Sequence, residues 1–117
     1  MISGIDLTKT VDFVLKNDTD DPTIWKLAIL PSSLFAKFTE KFSAGNQLDF
    51  LYLLVQVSLR GWENFTIEFK TVEQEIFCEK RQIVPREIID QINFEAVSEL
   101  AVKCIEMNKL TTGERKN

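Results

Sequence analysis

Few residues of this chain are of types that make or break bonds, and their spacing does not gather them. Carboxylates occur in pairs, Glu73 with Glu75 and Glu95 with Glu99. Such spacing can serve acid-base chemistry in principle, but on exposed faces these pairs are solvated charges rather than tuned acids. Asp18, Asp20 and Asp21 crowd the segment NDTDDP, yet a calcium loop also needs a glycine and a distal glutamate. A solvated turn is the simpler reading, since Asp, Asn and Pro favour turns through side-chain-to-backbone bonds and a fixed φ. The chain has no histidine, which excludes Ser-His and Cys-His nucleophile pairs and histidine-bearing zinc sites. Gly4, Gly45, Gly61 and Gly113 are isolated, so no phosphate loop or dinucleotide fingerprint can be assembled. The expectation is a non-enzyme with no catalytic residue, no metal and no cofactor.

The elements that would position any site are organised around the most apolar stretch, NQLDFLYLLVQVSLRGWENF from Asn46 to Phe65. Asn46 is placed to cap a helix and Asp49 to meet its positive end. Gly61 is expected to close that helix in the left-handed conformation, with Trp62 folded back on Val57. Apolar residues fall on both faces, but the run is shorter than the roughly 20 residues a membrane span requires. It reads as a buried central helix.

Around it, Val11, Phe13 and Leu15, then Trp25, Leu27 and Ile29, alternate with period two and predict an antiparallel hairpin. Ser32 or Ser33 is expected to cap a short helix bearing Phe35, Phe38 and Phe42, with Gly45 as its stop. A second hairpin is expected from about Phe65 to Val84 with a basic tip at Lys80 and Arg81, against a competing Thr71 to Gln74 capping box. Pro85 opens a short helix with Ile88, Ile89 and Ile92 inward. Asn93 caps another, in which Phe94, Val97, Ala101, Cys104 and Ile105 share a face and Glu99 with Lys103 sits at i,i+4 spacing. The fold class is therefore α+β: antiparallel hairpins packed with a buried central helix and a C-terminal helical pair. Residues 1–108 are expected to form a single globular domain and 109–117 a flexible tail.

At 117 residues the chain is one domain in size. Its formal charge of −4, with 14 basic residues scattered among the rest, offers no footprint for a phosphate backbone, so neither nucleic acid nor a membrane is an expected partner. The opening MISGIDLTKT lacks the charged start and apolar core of a secretory signal. A cytoplasmic location with Cys78 and Cys104 reduced follows.

Several stretches carry a resemblance when taken in order. GIDL with VDF at Val11, PTIWKLAIL, LRGWENF, IVPREIIDQI, SEL at Ser98 and the ending MNKLTTGERKN together resemble small proteins of tailed-bacteriophage and prophage structural modules, in particular the tail assembly chaperone type. The acidic-glycine turn frequent after the aromatic stretch in such sequences is replaced here by Thr66 and Ile67.

The resemblance implies a non-enzymatic protein of the bacterial host cytoplasm that binds the aggregation-prone tape-measure protein while tail-tube subunits polymerise around it. Self-association into a homo-oligomer stays open. Phe35, Phe38, Phe42, Trp62 and Phe65 are the candidate protein-binding residues, since large rigid aromatics dominate interface energetics; each would serve equally well in the monomer's core. A head-tail connector or completion protein in the virion, or a bacterial interaction module, fits the same composition. The family resemblance also raises a frameshifted longer form, for which Arg115, Lys116 and Asn117 can be encoded by a slippery run.

Overall fold

The computed structural model describes residue 4 and the spans 6–45 and 47–113. Arg115 to Asn117 and the cap expected at Asn46 lie outside the described residues. In chain order the elements are β1 (Thr10–Phe13), β2 (Ile24–Ala28), α1 (Ser32–Ser43), α2 (Gln47–Ser58), β3 (Leu59–Glu63), β4 (Val72–Ile76), β5 (Glu79–Ile83), α3 (Arg86–Ile89) and α4 (Phe94–Gly113). β1, β2 and β3 form an antiparallel sheet in that order, and β4 with β5 forms a separate hairpin. The expected α+β class is what the chain adopts.

The first hairpin follows its period-two pattern: Phe13 stands opposite Trp25 and Val11 opposite Leu27. Its acidic loop is held by turn bonds. The Asp18 carboxylate accepts from the Thr23 amide at 2.9 Å, and the Asp18 amide donates to Leu15 O at 3.1 Å. Asn64, at a φ of 61°, reaches across from the end of β3, its Nδ2 donating to Asp21 O at 2.6 Å while its carbonyl accepts from Thr23 Oγ1 at 2.7 Å. Asn tolerates this left-handed backbone better than most residues.

The central helix is shorter than expected. α2 ends at Ser58 and runs directly into β3, where Gly61 faces Lys26 and Trp62 faces Trp25. Gly61 is thus a strand residue rather than a helix stop, and Trp62 is the strand residue after it. Pairing satisfies the free edge of β2 and stacks the indoles of Trp25 and Trp62 edge to face at 5.7 Å. It also sets Lys26 between Asp12 and Glu63, each 3.1 Å from its Nζ. Long-range pairing outweighs the local capping signal here. The C-terminal half of α2, Leu54 to Ser58, is buried, whereas Leu48 is 57% exposed. Within it Gln56 is satisfied by Val84, through a side-chain bond to the carbonyl at 3.0 Å and a backbone bond from the amide at 3.2 Å.

Three further expectations need correction. α1 is entered through Pro31 with no side-chain cap, Ser32 and Ser33 lying within the helix, although Gly45 does end it at a φ of 101°. The second hairpin covers only Val72 to Ile83, and its tip is Phe77–Cys78, at φ 49° and 70°, rather than Lys80–Arg81. The Phe77 ring accounts for the shift: it sits 5.3 Å from Phe38 and 6.1 Å from Phe50, and that packing fixes a tip whose residue types do not favour positive φ. Phe65, Ile67 and Phe69 keep their inward alternation but form a strap outside any strand.

Pro85 leads into α3, whose Ile88 and Ile89 are buried with Ile92 beyond. The Asn93 side chain accepts from the Ala96 amide at 2.9 Å and caps α4 as expected. Val97, Leu100, Ala101, Cys104 and Met107 form the inner face of α4, but Phe94 is 55% exposed. It occupies the first helical position, before the helix reaches the core. Glu99 and Lys103 both turn to β1 and the residues that follow it: Glu99 Oε2 accepts from the Lys16 amide at 2.7 Å, and Lys103 Nζ lies 5.6 Å from the Phe13 ring centroid. α4 continues past the expected boundary at Asn108 to Gly113.

Candidate functional site

The residues expected to bind a partner fall into two aromatic clusters. On α1, Phe38 is fully buried, its ring 6.4 Å from Phe42 and 5.3 Å from Phe77. Phe38 is therefore core and has no surface to offer a partner, because it occupies the helix position that points between α2 and the β4–β5 tip. Phe35 and Phe42 are half-buried against the same core.

The second cluster is built by β2, β3 and the strap. Trp62 stacks edge to face on Phe65 at 5.2 Å and on Phe69 at 5.0 Å, while Trp25 lies beneath, 5.0 Å from Phe65. The strap takes its conformation from this packing and from one hydrogen bond, Trp62 Nε1 to Ile67 O at 2.7 Å. Trp62, Phe65 and Phe69 are half-buried. Among the described residues no ring contact joins this cluster to the one on α1.

A groove opens at each end of the Phe65–Trp62–Phe69 series. Phe65 lines one of about 360 Å³, together with Asp18, Glu95 and Glu99 and the buried indole of Trp25. Its walls are acidic. Asp18 and Glu99 are already engaged as acceptors of backbone amides.

Phe69 lines the other, of about 480 Å³, in which Arg60, Lys80 and Arg81 stand over Val57 and Ile83. Arg60 projects from β3, and Lys80 and Arg81 from β5. The Arg60 guanidinium donates to the carbonyls of Val57 and Leu59, and among the described residues no carboxylate pairs with it. The residue as a whole is exposed, but partial burial of its guanidinium, and secondarily the like charge of Arg81, hold its pKa below the usual guanidinium range. Arg81 is held through Nη2 by Glu79 at 2.9 Å, while its Nε is buried without a hydrogen-bond partner. Lys80 pairs loosely with Glu73 at 3.8 Å, both exposed.

Sequence reasoning reached Trp62 and Phe65 but missed Phe69, Arg60 and Arg81 as a site. The missing step was the strand assignment of LRGWE. Once Leu59–Glu63 is a strand beside β2, Arg60 and the β5 cations fall on one groove, whereas on a helix ending at Gly61 no such grouping can be seen. Neither thiol lines these grooves. Burial pushes Cys104 up to about 12, against the opposing influence of Ser58, and Cys78 is exposed at the hairpin tip.

No described helix is long and apolar enough to cross a membrane. Compared with protein-family models, curated proteins and solved structures, the chain matches none.

Proposed function

We propose that this protein is a non-enzymatic binding protein of the tail assembly chaperone type, which holds the tape-measure protein in the bacterial cytoplasm while a phage or prophage tail is assembled. The observation that carries the reading is the aromatic ridge Phe65–Trp62–Phe69, which runs from an acidic groove to a basic one. Rigid aromatics supply contact area at small entropic cost, and flanking charges of opposite sign set register and orientation. A long helical client with an apolar stripe and mixed charges is complementary to such a surface. The resemblance of its sequence stretches, taken in order, to tail assembly chaperones is what points to that client.

Co-expression with fragments of a tape-measure protein from the same phage or prophage genome tests the proposal. The expected result is a complex stable to gel filtration, weakened by Phe65→Ala and unaffected by Phe35→Ala on the other cluster. A folded wild-type chain that retains no tape-measure fragment overturns it.

A further inference from the structure

We infer that the groove between β3 and β5 is a binding site for a carboxylate carried on an apolar peptide segment, held by the guanidinium groups of Arg60 and Arg81 with Lys80 at its edge. The inference rests on the partner-binding reading only in that the carboxylate arrives on a protein; it does not depend on that protein being a tape measure.

Three features of the groove lead to this ligand. First, two arginines share it in a chain whose net charge is −4. Placing guanidinium groups together is unfavourable unless an anion offsets them, and among the described residues a carboxylate, Glu79, pairs with Arg81 through one nitrogen and none with Arg60. The like charge of Arg81 contributes, after partial burial, to holding the Arg60 pKa below its usual range. Second, the Arg81 Nε–H is buried and unsatisfied. Leaving such a donor unpaired is unfavourable, and a ligand oxyanion reaching the Nε–H beside the Nη2 that Glu79 holds would satisfy it.

Third, part of the wall is apolar, beside the polar Thr71 and Gln82. Leu34, Val57, Phe69 and Ile83 line the same space as the cations. A fully hydrated inorganic anion gains nothing from such walls, whereas an acidic side chain flanked by leucine or phenylalanine fills them as its carboxylate reaches the arginines. Phe69 ties the site to the aromatic ridge, so a segment lying over Trp62 can place an acidic residue here without a change of direction.

The test uses the full chain, labelled with ¹⁵N so that arginine Nε–H signals are visible. A blocked pentapeptide alternating leucine and glutamate, its glutamine counterpart, and inorganic phosphate are titrated separately. The expected result is that the glutamate peptide moves the Arg60 and Arg81 signals, that the glutamine peptide moves neither, and that Arg81→Gln or Arg60→Gln weakens binding at least about tenfold, while Lys9→Gln, which removes the same charge elsewhere, does not. If phosphate moves both signals as strongly at equal concentration, the site belongs to phosphate and the peptide assignment is overturned. If the glutamate peptide leaves both signals in place, or if Lys9→Gln weakens it as much as Arg81→Gln, the inference is overturned. The wild-type titration reads the site even if an arginine variant fails to fold. Loss of the tape-measure complex with the peptide result intact would remove only the identity of the client.

Discussion

Asn108, far along α4, holds the backbone amide of Leu30 at the end of β2: its Oδ1 accepts at 3.1 Å while its Nδ2 donates to Cys104 O at 2.7 Å. The residue is buried, at 5% exposure, so both ends of its amide replace water. This side chain ties the last helix to the segment that leaves β2. Asn108→Ala leaves the Leu30 amide without its acceptor and should cost about 1–3 kcal/mol in urea unfolding. Asn108→Asp keeps the acceptor, loses the donor and buries a charge, and should be at least as damaging. Wild-type stability in both variants would show that Asn108 does not join the two elements.

The buried half of α2 gives a second expectation. Leu54 has no accessible surface and lies where the helix is enclosed by α1, α3 and α4. Leu54→Ala should lower stability by about 2–5 kcal/mol, and Leu54→Asp should abolish the soluble fold, since no partner for the charge is present. Leu48→Ala, at the exposed start of the same helix, should change stability by less than about 0.5 kcal/mol. Equal losses at the two positions would contradict the burial gradient.

The two cysteines should behave oppositely. At pH 8 a thiol reagent should modify Cys78 in the native protein and reach Cys104 only on unfolding. The raised Cys104 pKa also sets the sign of a pH effect. Burial keeps the thiol protonated in the fold up to about 12, from an ordinary value of 9.0. Between those values the unfolded chain has lost the proton and the folded one has kept it, so stability falls as pH rises. The thiol's contribution is fully present below about pH 9 and declines by at most ~1.4 kcal/mol per pH unit above it. In Cys104→Ala that part of the alkaline slope should disappear, as urea midpoints measured from pH 8 to 11 would show.

The sequence made the α+β class legible because period-two and helical patterns are local. Trp25, Leu27, Ile88 and Val97 follow their predicted faces, and Asn93 caps α4 as its position implies. The errors concentrate where distant packing decided the outcome. Phe77 sets the hairpin tip by reaching Phe38 and Phe50, and β2 draws LRGWE out of the helix by pairing Trp62 with Trp25. The candidate site inherited the second error, for Arg60 becomes part of a groove only through β3. Of the five aromatics expected at an interface, Phe38 could not be told from core in sequence, because spacing along one helix shows a face but not what covers it.

Glycine replacement separates the two readings of the α2 to β3 junction. A glycine that closes a helix sits in the left-handed region, where a Cβ is strained; Gly45 does this at a φ of 101°. Gly61 lies in β3 opposite Lys26 without a positive φ, and a Cβ there would meet Lys26 Cδ at 3.6 Å, an ordinary contact. Gly45→Ala should therefore cost about 1 kcal/mol despite open space around it, because the backbone and not the surroundings resists the side chain. Gly61→Ala should be neutral to stabilising by up to about 1 kcal/mol, since the unfolded chain loses freedom that the strand never used. Urea unfolding of the two variants, measured side by side with the parent, decides the matter. A loss at Gly61 as large as that at Gly45 would return LRGWE to a helix end and dissolve the groove that Arg60 shares with Arg81.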